Sequence, residues 1–313
     1  MTSAMTIPEV HNFDHLIRRA KDKTSSKKPR AALVVPSAPE WLLAFDRAID
    51  EKLVEPVVIG DKSLLKKNVV EYGVKLDGAE VIDINQPNMA VVTAARMAER
   101  GEIDLIIKGR GTAVSFIKQL LDRDSSFTVK GKLISHLAVI KPRQYDKLIL
   151  LTDAGVVPQP DLKTKLALIN NAVDLAGAFG IGVPRVAVLA AVETIYPQMQ
   201  VTTEAAVLSK MADRGQIKNA FVDGPLSFDV AVDMVAAHSK GITTSEVAGQ
   251  ADVMIAPNIE TANGVYKAMA LYGNAQVGGI LYGGCVPVAL AEGWEPSETG
   301  FNSIVLAVLA AVR

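Results

Sequence analysis

Cys285 is the single cysteine in 313 residues, which excludes an internal disulfide framework and any site built from several thiolates. Histidine is nearly as scarce. Of the four, His136 lies inside an apolar run and reads as a core imidazole, while His11, His15 and His238 sit in polar surroundings, so no histidine-rich metal centre is expected. Net charge is also missing: 33 Lys and Arg against 34 Asp and Glu leave −1, too little for a field that would hold nucleic acid or an anionic membrane. Long hydrophobic runs are absent as well. The N-terminal stretch MTSAMTIPEVHNFDHLIRRAKDK carries no signal-like run, and FNSIVLAVLAAVR at 301–313 is too short to cross a bilayer. A cytoplasmic protein with neither a membrane nor a nucleic-acid partner is expected. What is plentiful is apolar material, 49% of the chain, enough for one large core or two moderate ones.

That material is arranged as short β-branched runs at 31–36, 56–60, 79–84, 104–109 and 133–140. A second series follows at 147–155, 185–192, 220–225, 252–257, 278–283 and 287–291. The intervening patterns predict helices over 39–52, 88–100, 111–122, 161–178, 202–213, 227–237, 259–271 and 298–312. Such alternation predicts an α/β protein, its strands mostly parallel and its helices on both faces. Because the polar stretch KPRQYDK at 141–147 interrupts the series, two open sheets are expected, and KDKTSSKKPR at 21–30 reads as a solvated linker. In such sheets the loops leaving the C-terminal strand ends face the binding crevice. Lys108 to Gly111, Asp153 to Gly155, Asp223 to Pro225 and Pro257 to Asn263 all occupy that position.

In DLIIKGRGTAVSFIKQLL at 104–121 a strand runs through Lys108, Gly109, Arg110, Gly111 and Thr112 into a helix. Glycines admit backbone amides to an anion, the helix N-terminus adds partial positive charge, and the two cations complete a phosphate site. The plainer alternative is a tight turn capped by Thr112. The spacing is neither a dinucleotide fingerprint nor a Walker loop. Asp153, Asp223 and Asp229 read more readily as loop and cap residues than as metal ligands. No G-x-S-x-G elbow is present and Cys285 has no evident histidine partner, so covalent catalysis is disfavoured. The glycine-rich GGILYGGCVPVA at 278–289 marks backbone approached closely by another element or by a ligand.

Several of these segments, taken in order, resemble the phosphate acetyl/butyryltransferase family, its butyryltransferase-like branch above all. They are IIKG at 106–109, ISH at 134–136, LLTDAGV at 150–156, VAVLAAVET at 186–194, KMADRGQI at 210–217, VDGPLSFDVA at 222–231, ADVMIAPNIETAN at 251–263 and VPVALAEGWEPSETGFNSIVLA at 286–307. The resemblance implies two α/β/α subdomains with mostly parallel sheets, an interdomain cleft and an isocitrate/isopropylmalate dehydrogenase-like architecture. It divides the chain into 1–143 plus 290–313, and 144–289 with the dimer interface of a homodimer. It also implies transfer of an acyl group from CoA to phosphate by direct displacement, with no metal and no tightly bound cofactor, CoA or acyl-CoA being substrate or ligand.

By the same resemblance a Ser-Arg pair belongs after the last strand of the cleft, where this chain reads Glu292-Gly293. Glu292, Arg110 and Asp223 are therefore the candidate catalytic residues. Lys108, Gly109, Gly111, Thr112, Asp153, Gly224 and Asn263 are the candidate substrate-binding residues, and Trp294 and Pro296 add bulk beside them. The replacement leaves two readings open: an acyltransferase with a relocated site built on Glu292 and Arg110, or a paralogue that binds CoA or a phosphorylated metabolite without turnover.

Overall fold

The computed structural model describes residues 10–122 and 125–312. The first nine residues and Arg313, which the reading of the two termini includes, lie outside the described residues. Among the described residues the eleven strands are β1 (Arg30–Val34), β2 (Glu55–Gly60), β3 (Glu80–Asp83), β4 (Leu105–Lys108), β5 (Ser135–Lys141), β6 (Ile149–Thr152), β7 (Arg185–Leu189), β8 (Phe221–Leu226), β9 (Val253–Ile255), β10 (Gln276–Tyr282) and β11 (Val288–Leu290). Each falls on one of the apolar runs. They do not form two sheets. They join into one, in the order β3-β2-β1-β4-β11-β10-β5-β6-β9-β7-β8.

Two parallel blocks, β3-β2-β1-β4-β11 and β6-β9-β7-β8, are fused through antiparallel pairing of β11 with β10, β10 with β5 and β5 with β6. Short connections make this possible. The polar stretch 141–147 is the hairpin joining β5 to β6, and 283–287 joins β10 to β11, whereas parallel neighbours need a helical crossover. The expected linker at 21–30 is also revised, because its first residues complete a helix, α1 (Phe13–Thr24). The other helices are α2 (Pro39–Asp50), α3 (Lys62–Tyr72), α4 (Pro87–Glu99), α5 (Ala113–Leu120), α6 (Leu162–Phe179), α7 (Gln200–Asp213), α8 (Phe228–Val232), α9 (Met234–Ser239), α10 (Ile259–Leu271) and α11 (Ser297–Ala311). None of the described helices is long and apolar enough to cross a membrane.

The two faces of the sheet are covered differently, and this difference makes the site. On one face α1, α2, α6, α7 and α11 share a continuous apolar cluster with Leu33, Ile107, Leu137, Val139, Ile280 and Ala289. Near-complete burial of α11, from Thr299 to Ala310, fixes it under the middle of the sheet. Gly278 allows this approach, since a Cβ there would lie 3.1 Å from Asn302 Cβ and from Leu306 Cδ1. On the opposite face the cover splits. One cluster gathers α4 and α5 over β1, β2, β4 and β11; another gathers α8, α9 and α10 over β5, β6, β7 and β9. A cleft is left between α5 and α10, above the antiparallel centre.

Candidate active site

Two cavities meet in this cleft. The larger, about 270 Å³, is mostly apolar, walled by Ala113, Val114 and Ile117 of α5, by Ile259 and Tyr266 of α10, and by Ala154 and Gly155 after β6. The smaller, about 150 Å³, lies at the end of β4 and is bordered by Lys108, Gly109, Arg110 and Gly111, by Glu40 and Trp41 of α2, and by Glu295 and Pro296. Ala291 and Glu292, just past β11, border both. Arg110 also borders a third cavity of about 270 Å³ with Ser37, Asp61 and Asn85, beside the C-terminal ends of β1, β2 and β3.

Each side chain has a local reason for its position. Lys108 is 1% exposed, and its Nζ donates to the carbonyl oxygens of Gly109 (3.2 Å) and Ala291 (3.4 Å). Burial lowers its pKa, against the pull of Glu292 and Glu295. Gly109 is imposed by the crossing of β1, because a Cβ would lie 2.1 Å from Val34 O and 2.3 Å from Val35 O. Gly111 has φ +111°, which favours glycine. Thr112 caps α5, its hydroxyl accepting from the Ser115 N–H at 3.1 Å. Arg110 is held by its backbone N–H to Val35 O (3.0 Å), with its side chain exposed.

On the other wall, Glu292 is anchored through its backbone N–H, which donates to Glu295 Oε2 at 2.6 Å. Glu295 itself is 2% exposed, and its other carboxyl oxygen accepts the Tyr266 hydroxyl. Burial pushes the Glu295 carboxyl above its ordinary value, the two hydrogen bonds opposing. Tyr266 is raised by burial and then by Glu295 and Glu292. His136 also borders the apolar cavity, its ring lying over Gly279, where a Cβ would sit 2.8 Å from Nε2. Burial lowers its pKa, against Asp153, Glu292 and the Ala154 carbonyl, so the imidazole is neutral. Asn263 hydrogen-bonds Ala154 O (3.2 Å) and ties α10 to the loop after β6.

The structure thus brings together Lys108, Gly109, Arg110, Gly111, Glu292 and Asn263 around one cleft, with Thr112 capping its helix. Asp153 is placed differently from expectation. Its buried carboxylate accepts the backbone N–H groups of His136 (2.8 Å), Gly155 (2.8 Å), Val156 (2.6 Å) and Val157 (3.1 Å). Three of these donors are on Oδ1 and one is on Oδ2, so this buried carboxylate chiefly shapes the loop. Asp223 and Gly224 lie outside the cleft, on the edge strand β8, which at about 4.8 Å per strand is about 19 Å from β5. There Asp223 accepts the Ser245 hydroxyl (2.5 Å) and the Gly224 N–H (2.7 Å) beside a separate groove. Gly224 is required by packing, since a Cβ would meet Val188 O at 2.7 Å. Trp294 is 47% exposed and borders neither cleft cavity, whereas Pro296 does.

Sequence reasoning missed Glu295 and Tyr266 and treated His136 as core alone. Helical spacing was the available signal, because Tyr266 stands three residues after Asn263 and shares its face. For Glu295 the signal was its place three residues after Glu292 in a loop already singled out.

The sequence pattern of the Phosphate acetyl/butaryl transferase family matches residues 86–308. The chain is 38% identical to a phosphate butyryltransferase of Clostridium beijerinckii over 302 residues, covering 96% of this chain and 98% of that protein. It is 33% identical to a phosphate acetyltransferase of Thermotoga maritima over 295 residues, 94% of this chain and 99% of that one. Among solved structures, a branched-chain phosphotransacylase from Enterococcus faecalis superposes with a TM-score of 0.76 at 25% identity, covering 90% of this chain and 99% of that one. A phosphotransacetylase from Streptococcus pyogenes shares the fold at TM-score 0.79 and 19% identity, over 96% of this chain and 99% of that one. With its mostly parallel sheet, its two-cavity cleft and these relatives, the chain belongs to the phosphate acetyl/butyryltransferase family.

Proposed function

We propose that the protein transfers an acyl group between CoA and inorganic phosphate, in the cleft between α5 and α10. The observation that carries this reading is the meeting of a cation-bearing cavity with an apolar one at Ala291 and Glu292. The acyl chain lies in the apolar cavity and phosphate lies beside Lys108 and Arg110. A phosphate oxygen attacks the thioester carbonyl, the C–S bond breaks and CoA leaves. In the reverse direction Glu292 accepts the CoA thiol proton, so that thiolate attacks the acyl phosphate. Asn263 orients the acyl group through the loop that it ties to α10. On this reading the acyl group passes directly to phosphate, with no acyl-enzyme between.

The division into 1–143 plus 290–313 and 144–289 accompanies this reading, as does a homodimer formed through the second part. Exposed Ile195, Tyr196, Met199 and Val207 support an interface there. The reaction is tested by trapping acyl phosphate as a hydroxamate from acetyl-CoA, butyryl-CoA and longer acyl-CoA with phosphate. Lys108→Met and Arg110→Ala should each raise KM for phosphate. If the parent protein forms no acyl phosphate from any of these thioesters, the reading is wrong, and a CoA-induced rise in melting temperature would then favour the binding paralogue.

A further inference from the structure

Five ionisable side chains border the smaller cavity: Glu40, Lys108, Arg110, Glu292 and Glu295. Carboxyl groups outnumber cations there. A phosphate dianion is attracted by the two cations and repelled by every ionised carboxylate, whereas a neutral water molecule enters without that repulsion. Of these three carboxyl groups Glu292 alone also borders the apolar cavity, where Glu260 of α10 is a further carboxyl, and Glu292 is half-buried rather than enclosed. Its backbone is fixed by the 2.6 Å bond to Glu295, so its side chain begins from a defined point between the two cavities. Lys108 borders the smaller cavity and bonds Ala291, the other residue that the two cavities share. Two of its three ammonium donors are on the carbonyls of Gly109 and Ala291, which leaves one.

A carboxylate at the mouth of an apolar pocket, with an ammonium donor beside it, is the equipment for adding water to a carbonyl. We infer that the protein also hydrolyses acyl-CoA thioesters, with Glu292 as general base and Lys108 holding the carbonyl oxygen. This rests on the acyl-CoA placement proposed above. Glu292 takes one proton from water as the water oxygen bonds to the thioester carbon, and the carbonyl electron pair moves onto oxygen beside Lys108. As the tetrahedral species collapses, the C–S bond breaks with its electrons going to sulfur, and Glu292 returns the proton to the thiolate. The products are a free carboxylic acid and CoA, and no oxidant, reductant or further reactant is required.

The test is thiol release from acetyl-CoA, butyryl-CoA and octanoyl-CoA by the full chain in phosphate-free buffer, with the free acid identified by mass spectrometry in H2(18)O. Steady turnover with one labelled oxygen in the acid is expected. Glu292→Gln should lower this rate at least about 100-fold, the usual contribution of a positioned base, while Glu292→Asp keeps a measurable part. A CoA-induced rise in melting temperature, retained in Glu292→Gln, separates loss of the base from loss of the fold. Acyl phosphate formation with phosphate but no thiol release without it overturns hydrolysis and leaves the transferase reading standing. Hydrolysis without acyl phosphate at any phosphate concentration does the reverse. If Glu292→Gln hydrolyses like the parent, Glu292 is not the base and the inference falls.

Discussion

Removing the Glu295 carboxyl should loosen the whole junction, and the size of the effect follows from what that group holds. Glu295 is buried with two donors on it, the Glu292 N–H at 2.6 Å and the Tyr266 hydroxyl. Glu295→Ala strands both, and at about 1–3 kcal/mol for each buried unsatisfied group the loss is about 2–6 kcal/mol. With an unfolding entropy of about 2.1 cal/mol/K per residue over 313 residues, each kcal/mol lowers the melting temperature by about 1.5 °C, so a fall of about 3–9 °C is expected. Glu295→Gln keeps the shape and one acceptor and isolates the charge. Burial raises the Glu295 pKa in the folded chain above its ordinary 4.5. The folded state therefore binds more protons than the unfolded one in this range. Stability from the protonated carboxyl is complete below pH 4.5 and is lost as pH rises through the folded value. Melting scans should accordingly show the parent's advantage over Glu295→Gln shrinking as pH increases from 4.5. A Glu295→Ala protein that melts within about 1 °C of the parent, or an advantage that grows with pH, would refute this account.

Asp223→Asn should leave kcat and both KM values near those of the parent, because Asp223 faces Ser245 on the far edge of the sheet; steady-state kinetics of the purified variant checks this. Gly109→Ala should destabilise by several kcal/mol or prevent folding, since a Cβ 2.1 Å from Val34 O forces β1 and β4 apart; soluble yield and urea unfolding report it. Lys165→Met should cost about 3–5 kcal/mol by urea unfolding, because it leaves Glu204, now 2.5 Å from the Lys165 ammonium, as a buried charge with no cation. The double variant Lys165→Met, Glu204→Leu should recover much of that loss.

Most strands were legible because each is a short apolar run buried along its length, a pattern that needs no knowledge of its neighbours, while the edge strands β3 and β8 are only partly buried. Two helices were not. α1 does carry an apolar stripe, Phe13, Leu16, Ile17 and Ala20 at helical spacing, but its lysines and arginines run on into the polar stretch 21–30 and mask it, whereas α3 buries only Leu65 and Asn68 and shows no broad stripe. The single sheet was missed because 141–147 has the composition of a linker, and a hairpin turn has the same composition. Only the pairing of Ile140 with Ile149 and of Val277 with Ile140 shows that the sheet continues across it.

At the site, the sequence by itself determined the loop from Lys108 to Thr112, the position of Glu292 after a strand and the place of Asn263 on a helix, since each follows from local order. The tertiary structure alone decided which of these meet. Twist and pairing at the centre of the sheet set Glu292 opposite Tyr266 and beside Lys108, joined through Glu295. The same topology carried Asp223 to the far edge and turned Asp153 inward onto four backbone amides. The physical reason is that strand order is a long-range property. An aspartate after a strand reads alike in sequence whether that strand borders the cleft or the solvent, and only the neighbours it acquires on folding decide whether its charge reaches a substrate.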